Sequence, residues 1–333
     1  MELNGPAKQP QLYMVLNKIS YAASEIAENY DRSMWWRNRI TARVITPIHQ
    51  KFVSDSNRNR VMDEEWDNLI ILDACRLDLF EETIDTDDFD EYRHVWSRGS
   101  KTDEWTYNNF IHEEYGDTVY ITANPVTSKV VPNQFHHLEE LWRDRFDEEQ
   151  QTVPPGKVAD AAREAHDEYP NKRLIVHFIQ PHIPFPRTPE LVFQNWNPEN
   201  ELEEGTTIDD DGFGPNTVWE ALEAGEVTHN EAWDAYQDNL EWGFKQSQAL
   251  ANDLSGWTVI TSDHGNMIGD RTWPIPIKLY AHPRGLRTDQ LTKMPWGLIK
   301  NGTRRDTVDD GVTKSYHEAT ETMKQKLAAL GYR

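Results

Sequence analysis

A chain of 333 residues suffices for one large α/β domain or two small ones. Its 57 acidic side chains against 34 Lys and Arg leave a formal net charge of −23, which argues against gripping a nucleic-acid backbone through bulk charge and suits a solvated surface in a salty cytoplasm. Cys75 is the single cysteine, which excludes an internal disulfide and a cysteine-rich zinc site; with no run of 18 apolar residues and no signal-peptide pattern, the chain reads as soluble, cytoplasmic and without a transmembrane segment.

Residues 1–65 read as a helical extension. Apolar residues at helical spacing predict helices over Leu12–Tyr30 and Trp35–Phe52, the second broken at Pro47. Arg37, Arg39 and Arg43 make a locally basic face, either solvated or turned to an anionic partner. The remainder, 66–333, reads as one domain. Asn68-Leu-Ile-Ile-Leu-Asp73 is a continuous apolar run ending in a carboxylate, the pattern of a buried parallel strand with a site at its tip. Asp73 is either that site or the cap of a helix expected over Leu77–Ile84. The hydroxyl-rich stretch Ser97-Arg-Gly-Ser-Lys-Thr102 precedes a helix expected over Glu104–Glu114. The N–H groups at such a helix start hold a tetrahedral anion well, and the hydroxyls equally serve as ordinary caps.

A short strand over Val119–Thr122 runs into Asn124 and Pro125, and helices are expected over His136–Arg145 and Val158–Glu168. Arg173–Ile179 is a third buried strand, with His177 inside it as a core or supporting residue. It leads into Gln180-Pro-His-Ile-Pro-Phe185, where two prolines fix the loop around His182. Residues 187–228, with Asp209–Asp211, read as a solvated acidic insertion loop, since the run lacks the spacing of a calcium-binding loop. An amphipathic helix over Asn230–Asn252 then delivers the chain to Thr258-Val-Ile-Thr-Ser-Asp-His-Gly265. This is a β-branched apolar strand that stops in small polar residues. Asp263 and His264 offer a hard oxygen and an imidazole, which suits Zn or Mn and equally suits a polar strand end. Gly265 is expected to let the backbone approach an ion. His282 falls in a Pro/Gly loop, Lys293–Ile299 is another short strand and Ser315–Leu330 a closing helix. The recurring strand–helix–strand order predicts a three-layer α/β sandwich, a mainly parallel sheet with helices on both faces.

Four pieces in this order resemble the alkaline phosphatase and sulfatase superfamily: the strand ending in Asp73, the hydroxyl loop with Thr102, the Pro-His-x-Pro-Phe loop at His182 and Ser-Asp-His-Gly at 262–265. His282 ahead of the Met294-Pro295 strand is similar to the family's phosphate- or sulfate-contacting residue. The resemblance spans about 66 to 300 and implies one divalent ion, Mn or Zn favoured and Ca possible, on Asp73, Thr102, Asp263 and His264. It implies Thr102 as nucleophile, with Ser100 and Thr106 as rivals. His182 and His282 would contact the tetrahedral group or assist the leaving oxygen, and Arg98 and Lys101 lie close enough to neutralise it. The Cys/Ser-x-Pro-x-Arg motif of sulfatases proper is absent, Asp73 is followed by Ala74 where they carry a second Asp, and Gln180 stands near where two-zinc enzymes have an acid. The pattern is closest to single-metal, threonine-nucleophile enzymes of the lipoteichoic acid synthase type. The implied activity is hydrolysis or transfer of a small-molecule, glycan-linked or lipid-linked phosphate or sulfate ester through a covalent threonine. The departures also motivate the alternative of a non-catalytic sulfatase-like protein that binds an anionic glycan or lipid head group.

Overall fold

Nine strands are found among the described residues of the computed structural model, which are 21, 24–27, 29–31, 33–53, 58–191 and 217–313. They are β1 (Asn68–Asp73), β2 (Glu91–Trp96), β3 (Tyr115–Thr122), β4 (Phe135–Glu140), β5 (Arg173–Pro181), β6 (Gly256–Ser262), β7 (Met267–Arg271), β8 (Lys278–Ala281) and β9 (Lys293–Asn301). Seven form one sheet in the order β2-β9-β6-β1-β5-β3-β4, and β7–β8 is a separate antiparallel hairpin. Strands β6, β1, β5, β3 and β4 are parallel neighbours, while β9 runs against both β6 and β2. The predicted mainly parallel sheet is therefore present, with β1 and β6 side by side at its centre.

That placement follows from composition. All six β1 residues are buried, as a strand covered on both faces requires. Leu69 and Ile71 pack with Trp66, Trp105, Phe110 and Tyr120 on one face. Ile70 and Leu72 pack with Leu79, Phe178, Leu240 and Phe244 on the other. Helices Leu77–Thr83, Pro155–Glu168 and His229–Asp253 supply the second face, and the helix Thr102–Phe110 the first. Each of these aliphatic side chains contributes roughly 1.5–3 kcal/mol of burial. A parallel sheet collects its strand ends, and hence Asp73 and Asp263, on one edge.

Several expectations are corrected. The helix read over His136–Arg145 is strand β4 followed by the four-residue helix Leu141–Asp144. Phe-His-His-Leu-Glu-Glu looks helical by propensity, but pairing with β3 at the sheet edge decides it, leaving only Phe135 fully buried. Pro47 does not break the N-terminal helix. A π-helical turn, Thr41–Ile45, precedes it, and the N–H of Thr46 bonds to Thr41 O, so the missing proline donor is absorbed at the start of Thr46–Phe52. The insertion read as a loop over 187–228 ends in a helix, Val218–Ala224, capped by Thr217. Strand β2 and the β7–β8 hairpin were not legible as strands. Asp209–Asp211, Ser315–Leu330 and most of Leu12–Tyr30 lie outside the described residues. Among the described residues no helix is long and apolar enough to cross a membrane.

Candidate metal and nucleophile site

At the strand ends the chain turns abruptly. Ala74 follows β1 with a φ of +56, a left-handed conformation costly for a residue with a Cβ. The turn aims its N–H at Asp263 Oδ1, 3.0 Å away, and the N–H of His264 reaches the same oxygen at 2.9 Å. Asp263 Oδ1 is thereby saturated. Its other oxygen, Oδ2, is buried with no hydrogen-bond partner among the described residues. A buried carboxylate oxygen without a donor is costly, and a cation is the species that relieves it.

The rest of the site faces that oxygen. His264 places Nε2 3.4 Å from Asp263 Oδ2 and 3.7 Å from Asp73 Oδ1, and all three residues are fully buried. Its Nδ1 donates to Gly265 O at 2.8 Å, which puts the proton on Nδ1 and leaves the Nε2 lone pair directed at the carboxylates. One ligand atom from each of Asp73, Asp263 and His264 fits within 4.8 Å of the other two. Thr102 begins its helix, and its Oγ1 lies 3.1 Å from His264 Nε2 and 3.5 Å from Asp73 Oδ1. Four residues separated by up to 191 positions in sequence thus meet at one point. Two carboxylates, one imidazole lone pair and a hydroxyl suit a divalent cation of the Zn or Mn type.

The rival hydroxyls lie elsewhere. Ser100 Oγ donates to Pro283 O and Glu104 Oε2, and Thr106 Oγ1 is buried within the helix with no partner among the described residues. Arg98 is also redirected. Its guanidinium bonds the carbonyls of Arg58 and Asn108, so the expected role on the tetrahedral group is not the one its contacts support. Lys101 is the residue just before the helix, and its charge reaches His282. His182 and His282 stand together, ring centroids 5.3 Å apart, with His282 4.8 Å from His264. His182 is held by its N–H to Asp73 O and by Asn239, which donates to Pro181 O and His182 O. Burial, then the proximity of His264, His182 and Lys101, holds the His282 pKa well below the usual imidazole value. His282 is therefore neutral near pH 7.

A Cβ at Gly265 would sit 2.0 Å from Gln290 O, so glycine permits the loop to close on a carbonyl. Asn124 was not singled out from the sequence. It caps the helix Pro125–Val130 through Oδ1 and donates Nδ2 to Asp73 Oδ2 at 2.5 Å. An Asn just before Pro at a strand end is an ordinary cap signal, and nothing local marks the second bond. Substituting Asn124→Leu is expected to lower metal affinity about 10- to 100-fold with the helices intact, by isothermal titration and circular dichroism; unchanged affinity would assign Asn124 to capping alone.

His177 lies behind Asp263, as its place in a strand suggested. Tyr120 Oη contacts Nδ1 at 2.9 Å, and Nε2 lies 4.0 Å from Asp263 Oδ2. Burial, reinforced by His264 and opposed by Asp263, pushes its pKa from 6.5 down to about 4. The folded state thus binds fewer protons there than the unfolded chain between these values. This contribution is full above 6.5 and is lost as pH falls toward 4. The metal-free protein is expected to lose urea resistance from pH 7 to 4.5 more steeply than His177→Gln; parallel losses would refute this assignment.

No protein-family model matches the chain, and no curated protein matches it by sequence. Solved structures similar to it include the soluble domain of lipooligosaccharide phosphoethanolamine transferase A from Neisseria meningitidis, at 14% identity and a TM-score of 0.46, covering 70% of this chain and 76% of that one. The lipoteichoic acid synthase LtaP from Listeria monocytogenes is 14% identical with a TM-score of 0.40, covering 79% and 73%. A putative sulfatase from Bacteroides thetaiotaomicron is 13% identical with a TM-score of 0.43, covering 74% and 67%.

Proposed function

We propose that the chain is a metal-dependent hydrolase or transferase of phosphate or sulfate esters, acting through a covalent ester on Thr102. The observation that carries this reading is the convergence of Asp73, Thr102, Asp263 and His264, with a buried oxygen on Asp263, donorless among the described residues, aimed into the group. Asp73, Asp263 and His264, with Thr102, would hold one divalent ion. Such an ion, when bound, acidifies a hydroxyl and stabilises charge on a transferring oxyanion.

The protein's own residues supply the remaining work. Strand ends β1 and β6 fix the carboxylates, and the helix start presents the Thr102 hydroxyl beside them. Asp73 Oδ1, 3.5 Å from that hydroxyl, is placed to receive its proton. Thr102 Oγ1 forms the bond to phosphorus or sulfur as the bond to the alcohol oxygen breaks. Lys101 and the helix start at Thr102 supply the positive end that faces the anion's charge. His182, whose Nδ1 donates to Ile183 O at 2.7 Å, and neutral His282 wall the same side as Lys101, and the departing oxygen takes its proton from water. Water or an acceptor hydroxyl then releases the ester. Activity toward aryl phosphate, phosphodiester and aryl sulfate, with and without EDTA, tests the reading; turnover indifferent to chelation would defeat it. A lipid- or glycan-linked ester is the proposed substrate class.

A further inference from the structure

We propose that His49, on the N-terminal helix, is a positioning residue for the oxyanion side of the site. This rests on the reading of that site given above. The helix Thr46–Phe52 is exposed over much of its surface, yet His49 is completely buried. Both ring nitrogens are committed. Nδ1 accepts the N–H of Arg287 at 3.0 Å, which places the proton on Nε2, and Nε2 donates to Trp273 O at 2.7 Å. The ring also stacks on Trp273, centroids 4.8 Å apart. Trp273 belongs to the connection between β7 and β8, and Arg287 to the segment after β8. One imidazole therefore ties together the chain on either side of His282.

The packing around it agrees. Ile45, one turn earlier, packs with Met267, Leu279, Leu286 and Leu291. Gly285, with φ +79, lies so close that a Cβ would meet Thr46 Cγ2 at 2.7 Å and Gln50 Nε2 at 2.8 Å. From Arg287 the linkage continues to the nucleophile. Its guanidinium bonds both oxygens of Glu104, at 2.6 and 3.2 Å. Glu104 also accepts from Ser100 N at 3.0 Å and Gly285 N at 3.2 Å, which pins the turn carrying Lys101. Burial alone would raise the Glu104 pKa, but the Arg287 bonds and these N–H groups outweigh it and hold it low, so the pair stays ionised. Asp73 and Asp263, by contrast, hang from the central strands β1 and β6. Loss of His49 therefore displaces the His282 loop and leaves the carboxylates in place.

The full chain, His49→Leu and His49→Gln are titrated calorimetrically, first with Zn²⁺ or Mn²⁺ and then, metal-loaded, with inorganic phosphate. The unaltered protein is expected to bind both. His49→Leu should bind the metal as before and phosphate about tenfold more weakly, one buried hydrogen-bonding partner having been lost. His49→Gln, whose amide carries one acceptor and one donor, should recover most of that affinity. Unaltered phosphate binding in His49→Leu would overturn the proposal, as would joint loss of metal and phosphate or failure of glutamine to rescue. An unaltered chain that binds neither metal nor phosphate would defeat the reading of the site itself.

Discussion

Replacing Thr102 with alanine is expected to reduce ester turnover by at least about 10³-fold, because the group that forms the covalent bond is gone. Metal binding should persist, weakened, since Asp73, Asp263 and His264 remain. The substitution removes one small hydroxyl at a helix start and leaves Trp105 and Phe110, the packing residues of that helix, untouched. Thermal melting should accordingly stay near that of the parent. Thr102→Ser keeps a hydroxyl in place and should keep measurable turnover. Intact mass after brief incubation with an aryl ester should show a phosphoryl or sulfuryl adduct in the parent and none in Thr102→Ala. Full turnover by Thr102→Ala would show that another group attacks the ester.

The second large effect is expected for Asp263→Asn. The two side chains have the same shape, and Oδ1 can still accept from Ala74 and His264, so the turn after β6 survives. What disappears is the charge carried at Oδ2, the oxygen without a donor among the described residues. In the metal-free state one buried negative charge has been removed, so the variant should be as stable as the parent or more so. On adding Zn²⁺ or Mn²⁺ the order should reverse. Binding at 100 times Kd stabilises a folded protein by about 2.7 kcal/mol, and Asp263→Asn should lose that gain along with turnover. Equal metal-induced shifts in Tm for the two proteins would place the ion elsewhere.

Much of this was legible in the sequence, for identifiable reasons. Buried parallel strands advertise themselves as unbroken apolar runs, so β1, β5 and β6, and the carboxylates that close β1 and β6, could be read directly. Thr102, His182 and His282 came from the order of motifs, and the structure brings each of them to the neighbourhood of His264. Strand β4 was not readable, because an edge strand half open to solvent keeps charged residues that propensity assigns to a helix. Arg98 was placed by proximity in sequence, yet its side chain leaves toward Arg58 and Asn108. Asn124 and His49 were missed for a common reason. Each acts through a contact with residues 51 or more positions away, and local pattern carries no trace of such a bond.

The proposed chemistry needs one ion among four side chains. Anomalous diffraction at the metal edge, from crystals grown with Zn²⁺ or Mn²⁺, tests this most directly. The predicted result is a single strong peak enclosed by the carboxylates of Asp73 and Asp263, Nε2 of His264 and Oγ1 of Thr102. A peak at another position, or catalytically competent crystals with no peak between these groups, would contradict it.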